Sequence, residues 1–142
     1  MQPNYVAEAR ASIHASPSNV WQALTDPKII QQYFFGTNVV TDWKVGSPIY
    51  YRGEWQGKAY EDKGSILEFE PEKRLVSTHW SPLAGVADIP ENYHKVTYLL
   101  DAHDGMTDVT ILQDNNASEE EKQHSEQNWQ MVLDGLKKVV EK

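Results

Sequence analysis

At 142 residues the chain has the length of one domain, and a domain of that size buries about 68–70% of its unfolded surface without a metal or disulfide staple. It contains no cysteine, which excludes disulfides, thiol nucleophiles and zinc–cysteine sites and fits a reducing, cytoplasmic setting. The formal charge of −8, from 21 acidic and 13 basic residues, opposes nucleic acid and anionic membranes as partners.

No apolar run approaches the ~20 residues of a membrane span. Met1 to Arg10 lacks a basic stretch followed by an apolar one, so neither membrane insertion nor a signal peptide is expected. No repeat, linker or low-complexity tract divides the chain, and residues 1–142 are expected to form a single domain.

Tyr5 to His14 reads as a strand, with Val6 and Ile13 as its apolar members. Ser16 and Pro17 then form a helix start, a side-chain cap followed by a proline that needs no amide partner. Val20, Trp21 and Leu24 make its apolar stripe. Asp26 and Pro27 repeat the start signal, Ile29, Ile30, Tyr33 and Phe34 form a second stripe, and Gly36 offers a stop.

From Asn38 to Asn115 the pattern changes to strands and turns. Val39 to Asp42 is a short strand. Ser47 to Trp55 alternates, with Ile49, Tyr51 and Trp55 on one face. Gln56-Gly57 is a two-residue turn, and Lys58 to Glu70 is a long strand bent near Gly64. Glu70 to Lys73 is a turn set by Pro71. Arg74 to Trp80 and Tyr93 to Ala102 are strands flanking a long loop, Ser81 to Asn92. Asp104-Gly105 is the strongest hairpin signal, and Met106 to Asn115 is the last strand.

The chain ends in an amphipathic helix. Ser118 and Glu121 match a capping box, and Glu119 to Glu121 suit the positive end of the helix dipole. Trp129, Val132, Leu133, Leu136, Val139 and Val140 fall in one arc of roughly 120°. An antiparallel sheet with one face to bury and a helix with one stripe to give solve each other's problem, so an α+β domain is expected. Six to seven strands would curve around the C-terminal helix, with two short helices after the first strand.

Several segments in this order carry a family resemblance. They are Ile13-His14-Ala15-Ser16-Pro17, Val20-Trp21, Leu24-Thr25-Asp26-Pro27, Tyr60-Glu61-Asp62-Lys63-Gly64, Leu67 to Leu75, Thr78-His79-Trp80 and Asn128-Trp129. Together they resemble the START-like, birch-pollen-allergen-like superfamily (SRPBCC). Within it, the chain is similar to the branch named for the C-terminal domain of the activator of the heat-shock-protein-90 ATPase. That resemblance implies the helix-grip fold and a cavity between sheet and helix.

The residues add their own hint. Toward its N-terminus the helix stripe passes from large apolar residues to Ser125 and Lys122, flanked by Asn128. One reading makes this half a pocket wall; the other leaves it overhanging into water. Candidate ligand contacts are Phe34, Tyr51, Trp55, Trp80, Tyr98, Ser125, Asn128 and Trp129, where rings supply area and a few polar groups give direction. For any one of these rings taken singly, plain core packing is the better account. Trp43 could be a pocket rim, an interface anchor or a local cap. Leu83, Val86 and Ile89 make the loop Ser81 to Asn92 a candidate lid.

Of the five histidines, His79 and His94 fall on neighbouring strands, but no ligand set for a metal is visible and no cofactor is expected. No nucleophile elbow, phosphate loop or dinucleotide fingerprint occurs. The strand acids Glu54, Glu61 and Glu68 read as solvated, although one of them buried among rings would be an acid–base candidate. The reading is therefore non-catalytic binding of a small hydrophobic, lipid-like or aromatic molecule. The resemblance also implies two alternatives: a chaperone-related interaction role and a polyketide-cyclase-like enzyme.

Overall fold

A computed structural model describes residues 5–141; the side chains of Trp55 and Ala84 lie outside the described residues. The elements follow the expected order. Strand β1 (Tyr5–Ile13) leads to helices α1 (Pro17–Thr25) and α2 (Pro27–Tyr33). Strands β2 (Asn38–Val40), β3 (Pro48–Trp55), β4 (Lys58–Glu70), β5 (Arg74–His79), β6 (His94–His103) and β7 (Met106–Asn116) follow, and helix α3 (Glu119–Val140) closes the chain. The seven strands form one antiparallel sheet in the order β1-β7-β6-β5-β4-β3-β2.

The local signals act as their chemistry predicts. Ser16 accepts a hydrogen bond from the Asn19 amide at 3.2 Å, Asp26 from Lys28 at 2.9 Å and Ser118 from Glu121 at 3.1 Å. Among the described contacts only the serine half of the Ser118–Glu121 box is made. The Asp104-Gly105 turn holds both residues at positive φ, 48° and 76°, as a tight hairpin requires.

One core packs between α3 and the sheet. It draws on Ala9 of β1, Val39 of β2 and Ile49 of β3, at opposite margins of the sheet, together with Val132, Leu133 and Leu136 of α3. The sheet must curve around the helix for all of these to meet. Val6 is exposed, while Ala7, Ala9 and Ile13 are buried. Strand alternation forbids Val6 and Ile13 from sharing a face, because they differ in parity.

The free margin of β1 is covered by side chains of α3. The amides of Glu8 and His14 donate to the carboxylates of Glu126 and Glu141 at 3.0 and 2.8 Å. The carbonyls of Arg10 and Ser12 accept from Gln130 and Lys137 at 3.4 and 2.7 Å. At the other margin β2 is three residues long.

Candidate functional site

The interior is not filled. A cavity of about 330 Å³ lies between α3 and the concave face of β3 to β7, near the lower end of the size range of small-molecule sites. Each strand contributes by its parity. Tyr51 of β3 faces inward with Ile49, Tyr60 and Asp62 of β4 with Ile66, and His79 of β5 with Leu75 and Ser77. From β6 come His94, Val96 and Tyr98, and from β7 Gln113.

Seven of the eight residues singled out in the sequence line this space: Phe34, Tyr51, Trp80, Tyr98, Ser125, Asn128 and Trp129. The eighth, Trp55, has its side chain outside the described residues. Phe34 stacks on Tyr51 at 6.2 Å and meets Trp129 edge-on at 5.7 Å, while Tyr98 meets the other side of Trp129 at 6.0 Å. These rings form a continuous floor. Burial pushes the Tyr51 phenol up to about 12, against an opposing hydrogen bond with Ser77. Burial likewise holds Tyr98 well above its ordinary 10.0. Both phenols therefore stay neutral at ordinary pH and serve as wall, not as bases.

The polar groups are arranged differently from the expectation. Ser125 donates to Asn116 Oδ1 at 3.0 Å and accepts from Gln113 at 3.3 Å. The Trp129 indole donates to Gln113 Oε1 at 2.7 Å. Asn116, 1% exposed, also donates to the Tyr5 carbonyl. Ser125 and the Trp129 N–H are thus committed to a network that fastens α3 to β7. Lys122, grouped with them on the helix face, does not line the cavity and lies within 4.0 Å of Glu119 and Glu126. Asn128 is exposed at the mouth.

The loop from Ser81 to Asn92 carries two short 3-10 turns, Pro82–Ala84 and Pro90–Asn92. Of the three apolar residues that suggested a lid, Val86 lines the cavity, and Leu83, Val86 and Ile89 are all exposed. The loop is fastened by Lys63 to Asp88 and by Tyr93 to Asp88, both at 2.5 Å, and by the Trp80 indole to the Val86 carbonyl at 3.3 Å. The Lys63 and Tyr93 hydrogen bonds hold the Asp88 carboxyl below its ordinary value. Trp43 packs against Phe69 at 6.4 Å as a local cap on the core, away from this cavity.

The acids that the sequence brought forward, Glu54, Glu61 and Glu68, are all exposed. Glu61 pairs with Arg52 at 2.7 Å and Glu68 with Arg74 at 3.3 Å. The inward-facing acid is Asp62, which the sequence reading missed. Its Oδ2 lies 3.0 Å from His79 Nε2, and its Oδ1 is buried with no hydrogen-bond partner among the described residues. His79 and His94 are direct cross-strand partners, as their positions suggested. His94 Nδ1 lies 2.8 Å from the Asp114 carbonyl oxygen. Among the described residues, no group of three or more His, Cys, Asp or Glu is placed to hold a metal ion. No described helix is long and apolar enough to cross a membrane.

A family profile described as "Activator of Hsp90 ATPase homolog 1-like protein" matches residues 14–141. Among solved structures, ChR145 from Cytophaga hutchinsonii is 50% identical over 99% of this chain and 97% of its own, with a TM-score of 0.87. The Aha1 dimer from Colwellia psychrerythraea is 20% identical, covers 96% of each chain and gives a TM-score of 0.73. DynU16, a protein of the dynemicin biosynthetic locus, is 19% identical with a TM-score of 0.80, over 98% of this chain and 48% of that one. The last two likenesses show the fold alone. A search of curated proteins finds no match.

Proposed function

Since the chain belongs to the activator of Hsp90 ATPase homolog 1-like family, we propose that it uses the helix-grip cavity to bind a small apolar, ring-bearing molecule without turning it over. One observation carries this reading: about 330 Å³ of open space floored by Phe34, Tyr51, Tyr98 and Trp129. Burying apolar surface there contributes about 25 cal/mol per Å² before ordering costs. The floor is already ordered by ring contacts, and Trp129 is held by Gln113, so little rearrangement opposes binding.

The test uses 2-methoxynaphthalene as an apolar two-ring probe in calorimetric titration. The native protein is expected to bind it. Asn128→Trp, which places an indole in the mouth from an exposed helix position, is expected to abolish binding with no loss in the thermal midpoint. Val86→Trp approaches from the loop and is expected to do the same. Unchanged affinity in both variants would reject the cavity as the site. Gentle mass spectrometry of freshly isolated protein then identifies any molecule that co-purifies.

The enzymatic alternative has one observation in its favour, since Asp62 and His79 are ionisable groups facing the cavity. It predicts that an isolated ligand is returned chemically changed. The chaperone-related alternative is supported by the family's description alone; it predicts that added protein changes the chaperone's ATP turnover.

A further inference from the structure

We infer that His79, oriented by Asp62, is the acceptor for a ligand hydroxyl, so that the cavity selects ring-bearing molecules carrying a neutral phenolic or enolic O–H over their ethers and over carboxylates. This rests on the cavity reading above and adds the ligand's polar end to it.

The sheet register brings three of the lining groups together. Tyr51 and Asp62 are cross-strand partners on β3 and β4, and His79 lies on β5 beside them. The three form a row on the concave face, with the His79 ring 5.3 Å from the Tyr51 ring. A carboxylate only accepts, so the nitrogen 3.0 Å from Asp62 Oδ2 is the one that carries the proton: Nε2–H donates. In the neutral ring this leaves Nδ1 with a lone pair, and no described protein group donates to it. The side chains of Asp62 and His79 are 14% and 31% exposed, so the pair is sheltered and His79 is still reachable.

The neighbouring strand repeats the arrangement. The Asp114 carbonyl can only accept from His94 Nδ1, which leaves Nε2 of a neutral His94 as a second acceptor on the same wall. Three of the N–H donors that line the cavity are engaged within the protein. The Trp129 indole is given to Gln113, the Trp80 indole to Val86, and the Asn92 amide to Ala87. Two imidazole acceptors, with the unpartnered Asp62 Oδ1 beside the first, suit a ligand that donates.

Charge decides against a carboxylate. Among the described residues no lysine or arginine lines the cavity, while Asp62 does, in a chain of net charge −8. An anionic ligand would lose its hydration here and find no counter-charge. A neutral hydroxyl needs only one acceptor, and no covalent bond changes when it docks.

Three probes of nearly equal shape separate the outcomes: 2-naphthol, 2-methoxynaphthalene and 2-naphthoate, titrated by calorimetry into the native protein. The naphthol is expected to bind about tenfold more tightly than the ether, the worth of one sheltered hydrogen bond, and the naphthoate weakest of all. His79→Phe keeps a ring against Tyr51 and is expected to bring naphthol and ether to equal affinity. Should that variant fold poorly because Asp62 is left unpaired, Asp62→Leu/His79→Phe removes both partners and carries the same expectation. Equal affinity of naphthol and ether for the native protein, a preference that survives in the double variant, or a naphthoate that binds tightest would each overturn the inference while leaving the cavity in place. Binding of none of the probes would remove the cavity reading and this one together.

Discussion

Gly64 shows how one residue positions the site. A Cβ built there would lie 1.7 Å from the Thr78 carbonyl oxygen, inside any tolerable contact, so β4 approaches β5 at this point only because the side chain is missing. The backbone pairs Lys63 with Trp80 on one side, and the Ser65 amide donates to the Thr78 hydroxyl at 2.9 Å on the other. Asp62 and His79 are thereby brought within hydrogen-bond reach. Gly64→Ala is expected to cost on the order of 3 kcal/mol, read as a lower urea midpoint at unchanged slope. The sequence marked Gly64 as special, as a bend in the strand where the structure has a close backbone approach; the inward aspartate two residues before it was not legible. Its parity with Ile66 was the available signal. Residues 58–65 hold too few apolar side chains to show an alternation, and three glutamates on the same stretch of sheet drew the eye instead. Those glutamates face water, where their ion pairs contribute little.

At the scale of elements, α3 divides its labour along its length. Its C-terminal half packs Leu133 and Leu136, both fully buried, into the core, while its N-terminal half is tied to β7 through Gln113, Asn116, Ser125 and Trp129. Leu133→Ala is therefore expected to lower equilibrium stability by about 2–5 kcal/mol, the range for an emptied core position. Met131→Ala, on the exposed side of the same helix, should stay within about 0.5 kcal/mol. Denaturant titration of both variants checks the contrast. The helix could be read in advance because its apolar stripe repeats over three turns, from Trp129 to Val140, behind a capped acidic start. What Ser125 and the Trp129 indole bond to could not, because their partners come from another strand and periodicity within one element carries no information about it.

Carboxylates at the surface give the stability of the whole molecule a pH dependence. The Asp108 carboxyl is held below its ordinary 3.8 by the Ser12 hydroxyl and then by the His103 imidazole. The Glu141 carboxyl is held below 4.5 by the His14 amide and then by Lys137, and Asp88 is lowered by Lys63 and Tyr93. A lowered folded-state value means stability that is present above the ordinary value and lost as pH falls through the folded one. The thermal midpoint is expected to drop as pH is taken below about 4, with protons taken up on unfolding, as calorimetry in buffers of different ionisation heat will show. His103 acts in the opposite sense. Its hydrogen bond to Asp108 raises it above 6.5, so its contribution is present below that value and fades as pH rises through the raised one. At this scale the order of elements and the α+β class were legible from turn residues and stripes. The depth of the cavity was not, since it depends on how far seven strands bend around one helix.

The glutamate, glutamine and lysine side chains laid along β1 have a consequence for handling the protein in concentrated solution. Amyloid-like growth recruits a chain by zippering onto an open ladder of amides and carbonyls, and here one rail is occupied and the other is three residues long. Among the described residues a fibril seed finds little open ladder to grip on the folded protein, so such an aggregate is expected to begin from chains that have already come apart.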